Sequence, residues 1–188
     1  MIKKGQRYED ESFNGREMLY WLAYEDLSKF RDYEWNLWFG NLSFSRLGDV
    51  YPDATMFGNN NPQWHDIMQG MAGTCYIEAS LASLAEFPDL VKSVFLTQEK
   101  NDAGVYAFRF YIRGKPWVVT VDDNFLFTND MTTGERQPYF ARIGKNQQFW
   151  AMMLEKAWAK VKGTYTMADG GFVQNGLRSL VGCPVISY

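Results

Sequence analysis

Apolar residues are densest between residues 75 and 88, where Ile77, Leu81, Leu84 and Phe87 are joined by Ala79, Ala82 and Ala85. Only the small Ser80 and Ser83 dilute them, so the stretch reads as apolar nearly all round. That pattern predicts a helix at the centre of the fold rather than an amphipathic surface helix. Over residues 149–162, FWAMMLEKAWAKVK, the face shared by Leu154, Trp158 and Val161 predicts a second helix, with Gly163 as its stop. Three- and four-residue steps through Leu19, Leu22, Ala23, Leu27 and Phe30 predict another over 15–30. The period changes to two in GVYAFRFYI (104–112) and WVVTV (117–121). With Arg113-Gly114-Lys115-Pro116 between them, these segments predict a β-hairpin whose second strand ends at Asp122-Asp123-Asn124. Pro88 closes the first apolar run, and a short helix is expected over 90–95.

The remainder carries less pattern. Residues 1–14 are polar and expected to be extended, and 128–148 read as a polar loop. Residues 31–64 also read as loop, yet they hold Trp35, Trp38, Phe44, Tyr51, Phe57 and Trp64. So many rings imply a wrap packed onto a scaffold, most of them simply filling core. Beyond Gly170-Gly171 come Leu177, Leu180, Val181, Val185 and Ile186, and the isolated Cys183 reads as core. The organisation expected is a helix and aromatic arm over 1–64 followed by a main unit over 65–188.

A chain of 188 residues with 46% apolar and 17% aromatic residues can bury a substantial core. Its net charge of −3 is spread in mixed signs without a basic block, which gives nucleic-acid or anionic-membrane binding little support. The Met-Ile-Lys-Lys start is followed by polar residues where a signal sequence needs an apolar run, and no window is long enough to span a membrane. Two cysteines far apart make no disulfide framework, so a reducing, cytoplasmic or other intracellular setting is expected.

Chemistry concentrates in QGMAGTCY, residues 69–76. Cys75 stands at the mouth of the predicted helix, where free backbone N–H groups and the helix dipole favour a thiolate. Gln69, six residues upstream, can bring an amide N–H towards the same point as the Cys75 backbone N–H. Two such donors would form an oxyanion hole for attack on a carbonyl. An inert helix-start cysteine is the plain alternative. His65 is the only histidine, and with no orienting carboxamide evident it reads as a loop-packing residue. Asp66 could begin an oxygen cage for calcium with carbonyls of 57–62, although exposure or capping accounts for most carboxylates.

Together, these segments resemble the protease core of the calpain family, the calcium-dependent papain-like cysteine endopeptidases. Gln69–Tyr76 with the Ala79–Leu84 run resembles the nucleophile loop and helix, 104–123 the hairpin after it, and Phe149-Trp150 through Gly163 the next helix. Gly170-Gly171 resembles the turn beyond. The implied fold is α+β, papain-like, with a helical first subdomain carrying a β-hairpin, and a β-rich second subdomain, bearing the His and Asn, absent from this chain. The resemblance makes Cys75 the nucleophile and Gln69 the oxyanion donor. It makes Asp66 a calcium ligand whose distant partner, a Glu in the family, is Gln148 here, which weakens a hard-cation site. Thr74 stands where the family usually has Asp, and Tyr76 where it has Trp. The implied function is a calcium-dependent cysteine endopeptidase acting on protein substrates, with no activity expected from this chain alone. The alternative is a catalytically inactive docking protein of the same fold in a larger assembly; a calcium-sensing module is a weaker third.

Overall fold

The computed structural model describes residues 5–19, 42–58, 61–130 and 132–186. After a 3₁₀ turn at Gly15–Met18 come strand β1 (Ser43–Arg46), the short helix α1 (Leu47–Val50) and a second 3₁₀ turn at Trp64–Asp66. Helices α2 (Cys75–Leu84) and α3 (Pro88–Val94) lead to strands β2 (Val105–Ile112), β3 (Lys115–Asp122), β4 (Asn124–Asn129) and β5 (Arg136–Pro138). Helices α4 (Trp150–Lys162), α5 (Tyr165–Ala168) and α6 (Val173–Val181) close the described chain. The architecture is mixed α+β. Its strands form an antiparallel three-stranded sheet, β1-β4-β5, and a separate β2-β3 ribbon.

Helix α4 is the core element. Every residue from Trp150 to Ala159 is buried, including Glu155 and Lys156. The expected hairpin is present with a shorter turn, since only Arg113 (φ 52°) and Gly114 (φ 75°) lie outside the strands. Positive φ at both positions is the two-residue connection that suits the twist of paired strands. Lys115 and Pro116 therefore pair with Ile112 and Tyr111. Tyr106, Phe108 and Phe110 point inward from β2, as the alternation requires.

Several expectations change. Helix α2 is central, but Cys75, Ala79 and Ser83 are exposed, so four-residue spacing leaves it one open edge headed by the cysteine. The short helix begins at Pro88 rather than residue 90, because proline is favoured at the first helical position. Residues 128–148 are not all loop: they contain β5 and the end of β4. Strand β4 escaped notice because Phe125, Leu126 and Phe127 are all buried, and a strand covered on both faces does not alternate. The tail forms α6, whose Gly176 lets it approach α2 closely; a Cβ there would stand 2.3 Å from the Ser80 hydroxyl. Cys183, read as core, is exposed beyond the end of α6.

Of the wrapping aromatics, Phe44, Tyr51 and Phe57 pack on the core, whereas Trp64 is exposed. Trp35 and Trp38 lie outside the described residues, as do residues 20–30 of the helix expected over 15–30. The polar N-terminal segment is docked. The Asp10 carboxylate is buried against Lys160 Nζ at 2.9 and 2.7 Å, and the Asp10 N–H donates to Asp122 at 2.9 Å.

Candidate active site

The loop before α2 is tied down at each step. The Arg142 N–H donates to the Met68 carbonyl at 2.8 Å, the Met71 N–H to Tyr139 at 3.0 Å, and the Gly170 N–H to Gly73 at 2.9 Å. Neither Gly70 nor Gly73 is among the glycines with positive φ, so no left-handed turn calls for them. Close approach is the reason for both. A Cβ on Gly70 would lie 1.8 Å from the Phe140 carbonyl oxygen, and one on Gly73 would lie 1.7 Å from Asp169 Oδ1. The exposed Gln69 folds back over this loop, its amide N–H donating to the Ala72 carbonyl at 3.0 Å. A cavity of about 210 Å³ opens beside the loop, lined in part by Met71, Gly73, Tyr139, Tyr165 and Asp169.

Cys75 is the first residue of α2 and is exposed. Thr74 does not cap the helix with its side chain; its hydroxyl donates to Glu155 Oε1 at 2.5 Å instead. On the other side of Cys75, the Tyr76 hydroxyl accepts from the Trp158 indole N–H at 2.6 Å. Both neighbours of the cysteine are thus anchored to α4, through residues three apart on one helical face.

Two buried acids lie beneath this arrangement, and sequence reasoning missed both. Burial pushes the Glu155 carboxyl up to about 7, opposed by the Thr74 hydroxyl and the Ala141 N–H. Glu78 is pushed up to about 8 by burial and then by the charge of Glu155. The available signal was a glutamate interrupting each apolar helical run, in IEASL and in MLEKAW.

Asp66 and Gln148, far apart in sequence, do meet. The buried Asp66 carboxylate accepts from the Gln148 side-chain amide, from the Gln63 N–H at 2.8 Å and from the Trp150 indole N–H at 3.0 Å. His65 is exposed, packs edge-on against Trp64 and stands 3.9 Å from Asp66. Calcium requires six to eight oxygens. Here Gln148 presents its N–H₂ rather than its oxygen to a single carboxylate, and the described residues contain no cluster of three His, Cys, Asp or Glu able to hold a metal. As arranged, these side chains do not suit that ion.

Over residues 8–188 the chain matches the calpain family cysteine protease domain. It is similar to the calpain-type cysteine protease DEK1 of Zea mays, at 37% identity over 117 residues, covering 62% of this chain and 5% of that protein. Calpain-5 of Caenorhabditis elegans is 30% identical over 149 residues, covering 76% of this chain and 22% of that protein. The human calpain-2 catalytic subunit is 36% identical over 120 residues, covering 62% and 16%. The chain therefore spans between 5% and 22% of the length of these relatives. Among the described residues, no helix is long and apolar enough to cross a membrane.

Proposed function

Since the chain belongs to the calpain family of cysteine proteases, we propose that it carries the nucleophile-bearing part of a papain-like endopeptidase acting on protein substrates. The supporting observation is Cys75, an exposed thiol at the uncapped start of a helix whose other residues are largely buried. In this reading the Cys75 thiolate attacks a peptide carbonyl and a C–S bond forms. The Cys75 N–H and the Gln69 amide receive the developing oxyanion. The C–N bond then breaks, the leaving amine takes a proton, and water hydrolyses the thioester. The base and its orienting amide come from a second subdomain outside this chain, because His65 is turned towards Trp64 and Asp66. Calcium takes no step in this account, since Asp66 is held by protein donors.

Reaction with a peptidyl epoxide, followed by peptide mapping, tests the assignment. With that second subdomain supplied, Cys75 should be labelled faster than the likewise exposed thiol of Cys183, and Cys75→Ala should remove the fast phase. Equal rates at the two cysteines would sink it. The position of the chain's only histidine favours a second reading, a docking protein that kept the fold without catalysis. That reading predicts no selective labelling of Cys75 even when the partner subdomain is supplied.

A further inference from the structure

Asp66 is only 4% exposed, so its carboxylate needs compensation for lost hydration. Its three donors, the Gln63 N–H, the Trp150 indole N–H and the Gln148 amide, are all neutral. The orientation of Gln148 is fixed at its other end, where Oε1 accepts the Asn146 N–H at 2.9 Å. Space for this side chain is made by Gly144, where a Cβ would stand 2.6 Å from Gln148 Cδ. An adjoining cavity of about 190 Å³ is lined in part by Asn61, Gln63, His65, Asp66 and Asn146, so beside Asp66 itself its polar side chains are amides and one imidazole.

We infer that the Gln148 amide stands in the place of a cation beside Asp66, tying the 63–66 turn to the start of α4 with no divalent ion. The arrangement turns on one atom. A glutamate at 148 would put a second carboxylate oxygen where the N–H₂ now donates, and two facing carboxylates repel unless a cation sits between them. Gln63 and Asn146, which line the same cavity, then offer amide oxygens as hard ligands to such an ion. Calcium-independent folding of this region is therefore a property of Gln148.

Terbium luminescence probes the site directly, because the Trp150 indole lies against Asp66 and can sensitise an ion bound there. The wild-type chain should melt at the same temperature in calcium and in EDTA, and should show no saturable terbium signal. Gln148→Glu should melt roughly 5 °C lower in EDTA, recover in calcium, and bind terbium at least about tenfold more tightly than wild type. Saturable terbium binding by the wild type that Asp66→Asn abolishes would overturn the inference, as would a Gln148→Glu chain fully stable in EDTA. Should that variant fail to fold, Gln148→Met decides. A lowered melting point that calcium does not restore supports the amide's role, and an unchanged one refutes it. None of these readouts involves cleavage, so the protease assignment can fail without this inference failing, and the reverse.

Discussion

The buried acids beneath Cys75 make the stability of the domain fall as the pH rises through neutrality. Both carboxyls are raised in the folded state, Glu155 to about 7 and Glu78 to about 8. The folded chain thus holds protons that the unfolded chain releases above about pH 4.5. Stability is full below that point and is lost as the pH approaches the folded-state values. For the fully buried Glu155, a rise from 4.5 to about 7 corresponds to about 3 kcal/mol. Against a typical domain stability of roughly 5–15 kcal/mol, that loss is large. Among the other perturbed groups only the fully buried Lys156, lowered by burial, runs against it, since a lowered ammonium adds stability as the pH rises. Asp49 and Asp130 are lowered, so their contributions change below the window, and the raised tyrosines act above it. Urea denaturation at constant ionic strength should show the midpoint falling by roughly 1 M between about pH 5 and about pH 8. Glu155→Gln keeps an acceptor for the Ala141 N–H and gives Thr74 a donor in place of an acceptor, and it should flatten most of that slope. A midpoint that stays level or rises with pH in the wild type would refute the reasoning. So would an unaltered slope in the Glu78→Gln/Glu155→Gln double variant.

Two further outcomes follow from the packing. Gly70→Ala should cost on the order of 3 kcal/mol because its Cβ meets the Phe140 backbone. Gly73→Ala meets only the movable end of the Asp169 side chain, so it should cost less and be rescued by Asp169→Ala. Equal losses in urea denaturation, without rescue, would count against close approach as the constraint. Lys156→Met leaves the buried Asp122 carboxylate without its partner at 2.6 Å and should cost about 3–5 kcal/mol. Combining it with Asp122→Asn should recover part of that loss, and a single-variant loss under about 1 kcal/mol would show that the pair is effectively solvated.

What the sequence made legible was local. The hairpin announced itself through alternation and a Gly turn, α4 through its apolar face and terminal Gly163, and the Gln69–Cys75 loop through residue types set close together. Less visible elements had patterns broken by tertiary need. Helix α6 spaces Val173, Leu177, Leu180 and Val181 helically, but it carries Gly176, a poor helix former, where it packs on Ser80. Strand β4 lost its alternation because both faces are covered. The Thr74–Glu155 bond joins residues 81 positions apart, and neither residue alone betrays the partner. Asp66 and Gln148, 82 positions apart, were brought together only by resemblance, which named their juxtaposition but not its hydrogen-bond pattern.

That pattern shifts the organising role from α2 to α4. Reading down α4, Trp150 holds Asp66, Glu155 holds Thr74, Lys156 holds Asp122, Trp158 holds Tyr76 and Lys160 holds Asp10. Each turn of one buried helix therefore grips a different part of the chain, from the N-terminal segment to the end of the hairpin. Helix α2 supplies the thiol, but it leaves its own first turn without a side-chain cap, and an exposed helix start of that kind frays unless something outside it fixes the backbone. Glu155 and Trp158 meet that requirement on the two sides of Cys75 at once, through bonds of 2.5 and 2.6 Å. The cysteine is then placed by residues that never need to touch it, and the Thr74 hydroxyl that could have capped the helix is used to fix its position instead.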